Sequence, residues 1–399
     1  MWARPLKIIP QSTQRMIWAG YHVSRGSDHL SIAAQTNGFE HKFTFEWLRD
    51  HCRDPSVYDS DTHQRSISIL DINPDVHPFK FQVIQGADDV LSITWNDGHV
   101  STYDLKWLIR QSGQENRKQA FKSPIQRTPW NIPTLPQSSQ TNTDFQEFMD
   151  SAKGVEKVIR SIREHGFAMV DGVEPTTKAT KLTVERMVPV SQTIYGEMFE
   201  LRNEEKEDVS DSSYSNVALG AHTDTTYYNE AFGLQIFHCL QPAARGGANI
   251  LVDGFKIAEL LKKANPDAYQ FFRKTPLEAE YIHSRSEPQE HYYNVDYVFK
   301  HHPISDELEQ FRFNVYDRAP HKMGLSEQRL FYRYYRELAA LIVDETNVMR
   351  VQLHPGTVLF IDNWRVMHGR TGFQGQRIMS GCYVNRSDFI SRAKVFDLA

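Results

Sequence analysis

The stretch Ala221-His222-Thr223-Asp224 is the most informative one for the fold class. It holds the only His-x-Asp triplet among the 399 residues. On a β-strand, side chains two positions apart point to the same face. We therefore predict a strand that presents His222 and Asp224 to one metal ion. In a chain with 17 histidines the triplet alone is a weak signal, so a third ligand is needed to support it.

His368 is that third candidate, and it follows a Pro355-Gly356 turn and a predicted strand. Two histidines and one carboxylate on one face of an octahedral ion leave three positions open, which is typical of non-haem Fe(II) oxygenases. Zinc hydrolases are the competing class, but their helical His-Glu-x-x-His pattern does not occur in this sequence. The other interpretation of His368 is a histidine satisfied by local hydrogen bonds.

Short predicted strands surround these candidate ligands in the sequence. They cover residues 167–170, 233–240, 248–253, 310–315, 350–353, 357–362 and 376–384. Apolar residues spaced three and four apart predict helices at residues 144–164 and 326–344. Many strands with few helices predict a mainly β fold, a β-sandwich or jelly roll with flanking helices.

A dicarboxylate co-substrate needs a buried cation for its far carboxylate, and Arg377 is the candidate. It lies nine residues after His368, on the next predicted strand, where a guanidinium can bind a carboxylate with two parallel hydrogen bonds. The apolar residues that follow it disfavour the alternative of a surface salt bridge. Arg365 and Arg370 are rivals for the same role.

The first part of the chain predicts a separate organisation. Residues 28–112 alternate short apolar strands with turn clusters and predict a small N-terminal β-rich domain. Residues 113–143, rich in Gln, Ser, Pro and Asn, predict a linker to a catalytic domain at 144–399. Residues 1–27 are basic and acid-free, which predicts a mitochondrial leader and a matrix location. A basic terminus on a cytoplasmic protein is the alternative.

Composition excludes several classes of partner. A net charge of -5 and a pI near 6.4 predict neither nucleic-acid nor anionic-membrane binding. The sequence has no apolar run near 18 residues, so no membrane-spanning helix is expected. Three cysteines form no disulfide framework and fit a reducing compartment.

Beyond the triplet, several stretches resemble one known family, the carnitine-biosynthesis dioxygenases that act on trimethyllysine or γ-butyrobetaine. The resemblance runs from about residue 28 to the C-terminus. It is carried by Trp47-Leu48-Arg49-Asp50-His51-Cys52, Trp95-Asn96-Asp97-Gly98-His99, His222-Thr223-Asp224-Thr225-Thr226-Tyr227, Leu251-Val252-Asp253-Gly254-Phe255 and Asp362-Asn363-Trp364-Arg365-Val366-Met367-His368-Gly369-Arg370.

The resemblance implies a double-stranded β-helix catalytic domain behind a small N-terminal domain, assembled as a homodimer. It also implies hydroxylation of an unactivated C–H in a small molecule that carries a trimethylammonium group. Fe(II) would be the metal, and 2-oxoglutarate would be oxidised by O₂ to succinate and CO₂, with ascorbate as an expected reductant. His222, Asp224 and His368 match the iron ligands, and Arg377 matches the partner of the 2-oxoglutarate carboxylate. Asn249, expected to help bind the co-substrate, stands where the family usually has a Thr or Ser.

The family's substrate positions also map onto this sequence. Tyr195, Phe199 and Tyr214 match an aromatic cage for the quaternary ammonium, with Phe199 in place of the usual Trp. For any one of these rings alone, core packing is the other interpretation.

Two further positions bear on the choice of substrate. Asp211 matches an acid of the trimethyllysine branch, where it would pair with the α-ammonium, and Asn314 matches a polar substrate position. We therefore expect trimethyllysine as substrate and hydroxylation to 3-hydroxytrimethyllysine. The alternatives are hydroxylation of γ-butyrobetaine to carnitine and a non-catalytic protein that binds trimethylammonium groups.

The family's N-terminal domain often binds zinc through three Cys and one His. Here Cys52 and His99 match, but Val57 replaces one cysteine and no third cysteine lies nearby. Two ligands do not complete a tetrahedral site, and His51 or His63 is a weak substitute. We therefore expect no zinc and a buried, apolar role for Cys52.

Overall fold

The structure is a computed structural model that describes residues 15–18, 20–34, 40–86, 89–112, 117–202, 215–283 and 289–399. Its contacts divide the chain into two compact units, Met1–Ala120 and Phe121–Ala399. No helix in the described parts of the chain is both long and apolar enough to span a membrane.

The first unit is built from antiparallel sheets and short helices. Its four-stranded sheet has the order β1-β2-β3-β4, its three-stranded sheet has the order β7-β8-β9, and β5 pairs with β6. Its elements are β1 (Arg15–Trp18), β2 (Tyr21–Arg25), β3 (His29–Ala34), β4 (Glu40–Thr44), α1 (Phe45–Asp50), β5 (Tyr58–Asp59), β6 (Gln64–Arg65), β7 (Pro78–Ile84), β8 (Val90–Trp95), β9 (Val100–Asp104), α2 (Leu105–Gln111) and α3 (Arg117–Ala120).

The last residues of the predicted leader, residues 1–27, overlap the first folded unit. Within residues 1–27, β2 pairs along its length with β3, and Val23 is fully buried in the core of the first unit. A segment that is removed cannot include this strand without taking a core side chain with it. Arg25 is one of the basic residues on which the leader prediction depends. In the structure it donates from Nη1 to the Pro78 carbonyl at 2.9 Å.

The second unit holds two larger sheets and most of the helices. Its six-stranded sheet has the order β10-β11-β22-β14-β25-β12, and its four-stranded sheet has the order β13-β23-β16-β21. Hairpins β15-β24, β17-β18 and β19-β20 extend from them.

The strands of the second unit are β10 (Asn142–Asp144), β11 (Phe167–Asp171), β12 (Phe199–Arg202), β13 (Leu219–His222), β14 (Leu234–Gln241), β15 (Arg245–Gly246), β16 (Asn249–Asp253), β17 (Pro276–His283), β18 (Glu290–Tyr297), β19 (Phe299–His301), β20 (Leu308–Phe311), β21 (Met349–Val351), β22 (Thr357–Asp362), β23 (Val366–Arg370), β24 (Phe373–Gln374) and β25 (Ile378–Val384). Its helices are α4 (Ser138–Thr141), α5 (Phe145–Asp150), α6 (Ala152–His165), α7 (Thr177–Glu185), α8 (Gly254–Ala264), α9 (Pro266–Lys274), α10 (Leu325–Val343) and α11 (Arg386–Val395).

Burial on both faces explains why the central strands are continuously apolar. On β22, Leu359 and Ile361 join a core with Leu251 of the four-stranded sheet, whereas Val358 and Phe360 face the core formed with α5, α6 and α11. Successive side chains of a strand alternate between faces, so each face meets its own layer. The mainly β, double-stranded β-helix core with helices outside is confirmed.

Two predicted segments differ from the observed ones. Residues 121–143 of the predicted linker belong to the second unit, where Trp130 is buried and donates from its indole N–H to the His165 carbonyl at 2.6 Å. The predicted helix 144–164 is two helices, because Ser151 interrupts it and caps α6 through its hydroxyl, which accepts from the Gly154 N–H. Gly166 then ends α6 in the left-handed conformation.

Candidate active site

The three predicted metal ligands lie together at the four-stranded sheet and line one cavity. His222 at the end of β13 pairs directly across from His368 on β23, and their rings are 4.6 Å apart. Asp224 lies two residues beyond β13, with Oδ1 3.2 Å from His222 Nε2 and Oδ2 3.4 Å from His368 Nε2. One atom from each residue falls within 4.8 Å of the others. Among the residues that the structure describes, they are the one such group of three or more potential ligands.

The position of Asp224 does not depend on strand alternation, so that part of the prediction was wrong. β13 ends at His222, and Thr225 adopts a left-handed φ of 58°. The loop is held instead by the fully buried side chain of Asn363. Its Oδ1 accepts from the Asp224 N–H at 2.8 Å, and its Nδ2 donates to the carbonyls of Asp224 and Phe232, both at 3.0 Å.

The two histidines are arranged as nitrogen ligands. His222 Nδ1 lies 2.8 Å from the Gly220 carbonyl, so it carries the proton and leaves Nε2 to face Asp224. Burial opposes a charge on His222, but the hydrogen bond and charge of Asp224 raise its pKa. Burial lowers the pKa of His368. A divalent cation bound at His222 Nε2 and Asp224 would take the place of the proton that this pair shares, and burial favours the neutral form of His368 that can ligate it.

The carboxylate of Asp224 is kept ionised in a buried place. Burial raises its pKa, yet the adjacent His368 and His222 outweigh that effect and hold the pKa far below its ordinary value. The Tyr383 hydroxyl donates to Oδ2 at 2.8 Å. A two-histidine, one-carboxylate set with an ionised, oriented acid fits Fe(II).

Arg377 lies on the wall of the same cavity, beside the triad, and is almost fully buried. Its Nη2 donates to Asn249 Oδ1 at 3.2 Å, so the two residues predicted to bind the co-substrate contact each other. Burial lowers the pKa of Arg377, but a guanidinium remains charged at neutral pH. Of its two rivals, Arg365 forms a bidentate pair with buried Asp253, and Arg370 lines the cavity while donating to the Val217 and Ser215 carbonyls.

Three aromatic rings form one wall of the cavity. Tyr195, Phe199 and Tyr383 lie with ring centroids 5.6 to 6.5 Å apart. Tyr383 was not predicted as a site residue, although it lies on β25, which begins one residue after Arg377. Predicted residues Asp211 and Tyr214 lie outside the described part of the chain.

Asn314 lines the cavity as predicted, but its amide is already engaged. Its Nδ2 donates to the Thr223 carbonyl at 3.2 Å and to Asp317 Oδ2 at 2.7 Å, and its Oδ1 accepts from the Tyr316 N–H. Asp317, which was not predicted as a site residue, therefore presents a fixed carboxylate at the cavity wall. The cavity has a volume of about 120 Å³.

Known families match both units of this chain. The model for the taurine catabolism dioxygenase TauD, TfdA family matches residues 131–383, and the model for the gamma-butyrobetaine hydroxylase-like N-terminal region matches residues 21–109. The chain belongs to the TauD, TfdA dioxygenase family. It is a 2-oxoglutarate-dependent dioxygenase, and iron and 2-oxoglutarate are the cofactor and co-substrate that its His-Asp-His site serves.

Curated relatives match nearly the whole chain. It is 38% identical to the mitochondrial trimethyllysine dioxygenase of Bos taurus, over 93% of this chain and 86% of that one. It is 37% identical to the mitochondrial enzyme of that name from Homo sapiens, over 90% and 83% of the two chains. It is 31% identical to the trimethyllysine dioxygenase of Meyerozyma guilliermondii, over 90% and 92%.

In the first unit, Cys52 and His99 do come together, with Sγ 3.2 Å from Nε2. Val57 is buried at the position of the replaced cysteine, and Cys52 is itself buried. The two histidines weighed as substitutes have other contacts. His51 stacks on Trp47 at 4.1 Å, and His63 lies 3.3 Å from the Tyr58 hydroxyl.

Proposed function

We propose that this dioxygenase hydroxylates trimethyllysine to 3-hydroxytrimethyllysine, the first step of carnitine biosynthesis, while 2-oxoglutarate and O₂ become succinate and CO₂. The observation that carries the proposal is a single cavity that joins the His222–Asp224–His368 set, Arg377 and a wall of three aromatic rings. The curated relatives named above bear the same activity in their names.

Each wall of the cavity has a defined task in this proposal. Iron held by the two histidines and Asp224 supplies the activation of O₂ that couples decarboxylation of the co-substrate to C–H hydroxylation. The Arg377 guanidinium binds the far carboxylate of 2-oxoglutarate, and Asn249 orients that guanidinium. A trimethylammonium group has no N–H to donate, so ring faces are its best partners, and Tyr195, Phe199 and Tyr383 supply them.

Other properties of the enzyme follow from the resemblance and the named relatives. We propose a mitochondrial protein of the matrix, a homodimer, and ascorbate as the reductant that sustains turnover. Asp211 and Tyr214 are proposed to complete the substrate site. Membrane and nucleic-acid partners are not part of this proposal, since a net charge of -5 gives no electrostatic attraction to either.

The test is succinate release from protein reconstituted with Fe(II) without oxygen and then supplied with 2-oxoglutarate, O₂ and one substrate. We expect trimethyllysine to give kcat/KM well above that for γ-butyrobetaine, and His222→Ala to abolish both reactions. The reverse ranking would assign the chain to γ-butyrobetaine. Iron-independent binding of either compound without succinate would support the non-catalytic alternative.

A further inference from the structure

Among the described residues that line the cavity, two carry carboxylates, and the proposed iron site uses one of them. These acids are Asp224 and Asp317, and the arginines that line the cavity are Arg370 and Arg377. Asp224 is a metal ligand in the proposed enzyme, and Asp317 is a second carboxylate on the cavity wall that can attract a cationic group of a ligand.

The main chain around Asp317 is fixed from both sides. On the side of the segment that carries His222 and Asp224, the Thr223 N–H donates to the Phe313 carbonyl at 2.7 Å, and the Tyr316 hydroxyl accepts from the Gly220 N–H at 2.8 Å. Towards the hairpin, the Glu280 N–H donates to the Asp317 carbonyl at 2.9 Å. Asn314 Nδ2 then holds the carboxylate itself. A carboxylate side chain that is already held by such hydrogen bonds loses little conformational freedom when a ligand binds.

The charge of Asp317 acts on the interior of the cavity. Burial is the main cause of the raised pKa of Tyr227, and the negative charge of Asp317 raises it further. Tyr227 lines the cavity, so a cation placed there is attracted by Asp317.

We propose that Asp317 binds the α-ammonium of the substrate and thereby selects an amino acid over a plain carboxylic acid. This inference rests on the proposed function. Trimethyllysine has two cationic groups, whereas γ-butyrobetaine has one. The trimethylammonium group suits the aromatic wall, and the α-ammonium, with three N–H donors, suits a carboxylate. Asp317 is thus a specificity-determining residue, with Asn314 as the residue that positions it.

The experiment compares trimethyllysine with its α-desamino analogue, which keeps the trimethylammonium and the carboxylate but lacks the α-ammonium. In Asp317→Asn the amide oxygen can still accept from Asn314, so the variant removes the charge and keeps this hydrogen bond. We expect this variant to lower kcat/KM for trimethyllysine about 10- to 100-fold, chiefly through KM, and to change it less than about threefold for the analogue. The exposed Asp267→Asn is the matched control, since it removes one negative charge outside the cavity.

The outcomes separate this inference from the proposed function. An equal loss on both substrates, or no loss on either, would overturn the role of Asp317 while leaving trimethyllysine as the substrate. Asp211→Asn is tested in parallel, and selectivity that disappears only in that variant would assign the α-ammonium to Asp211 instead. If the wild-type enzyme turns over neither compound, the proposed function and this inference both fail. The absorption band of the anaerobic Fe(II)–2-oxoglutarate complex checks that each variant retains its iron site.

Discussion

At the scale of single residues, Tyr383 links the aromatic wall to the metal site. Its ring lies 5.6 Å from Phe199, and its hydroxyl donates to Asp224 Oδ2. One side chain therefore contacts both the proposed cage for the substrate cation and a metal-ligand carboxylate. Outer hydrogen bonds of this kind orient the carboxylate and tune its affinity for metal.

Tyr383→Phe keeps the ring but removes this hydrogen bond. We expect Fe(II) to bind about tenfold more weakly, with KM for trimethyllysine changed by less than about threefold at saturating iron. Anaerobic titration with Fe(II) or Co(II) measures the first quantity, and steady-state succinate release measures the second. A large rise in KM with unchanged metal affinity would show that the hydroxyl serves the substrate instead.

Apart from the positions that the family resemblance supplied, site residues were predicted only where local spacing carries the chemistry. The His222–Asp224 triplet and Arg377 can be recognised in the sequence, since each lies near a distinctive neighbour or on a predicted strand. Asp317 and Asn363 have no such local pattern. Their roles depend on partners that are close in space but not in sequence, as in the contact between Asn363 and Asp224, 139 positions apart.

At the scale of elements, the loop that carries Asp224 depends on the turn after β22. Asn363 in that turn makes three hydrogen bonds to the loop, and Trp364 donates from its indole N–H to the Ala231 carbonyl at 2.8 Å. These bonds hold the loop even though Thr225 has a positive φ, which costs a non-glycine residue energy.

Asn363→Ala leaves buried backbone groups of Asp224 and Phe232 without these partners. We expect the free energy of unfolding to fall by about 3 kcal/mol, because each unsatisfied buried group costs about 1–3 kcal/mol. Fe(II) affinity should fall with it. Urea unfolding and anaerobic metal titration measure the two effects, with the exposed Asn385→Ala as control. Unchanged metal affinity in a destabilised variant would show that metal binding does not depend on the hydrogen bonds from Asn363 to this loop.

Some elements matched their predictions closely, and others were missed. β22 has the predicted bounds, and α10 differs from its prediction by one residue at each end. The hairpin of β17 and β18 was missed, because on β18 both the exposed and the half-buried positions carry Tyr and polar residues, so apolar and polar residues do not alternate. Helices α8 and α9 were missed although Asp253 and Asn265 cap them and Pro266 begins the second.

At the scale of the whole molecule, buried histidines make folding sensitive to acid. His238 is fully buried, its Nδ1 lies 2.8 Å from the Thr180 hydroxyl, and its Nε2 has no hydrogen-bond partner among the described residues. Burial lowers the pKa of His238 to about 4. The unfolded chain binds this proton near pH 6.5, so the stability contribution is complete above that pH and is lost as pH falls towards 4.

We expect the titration of His238 to lower the free energy of unfolding by about 2 kcal/mol when the pH falls from 7 to 5. In His238→Gln this difference between the two pH values should shrink by about that amount, whatever the variant's stability at pH 7. Urea unfolding of iron-free protein at both pH values measures it, and the exposed His354→Gln is the control. An unchanged difference in His238→Gln would mean that other groups carry the acid sensitivity.

The most direct measurement of the central claim is mass spectrometry of the product after one set of turnovers with Fe(II), 2-oxoglutarate, O₂ and trimethyllysine. We predict one added oxygen atom in trimethyllysine for each succinate formed, and neither product from His368→Ala or Asp224→Ala. Oxygen addition that persists without these ligands, or succinate formed with unmodified trimethyllysine, would contradict the assignment of the site and its substrate.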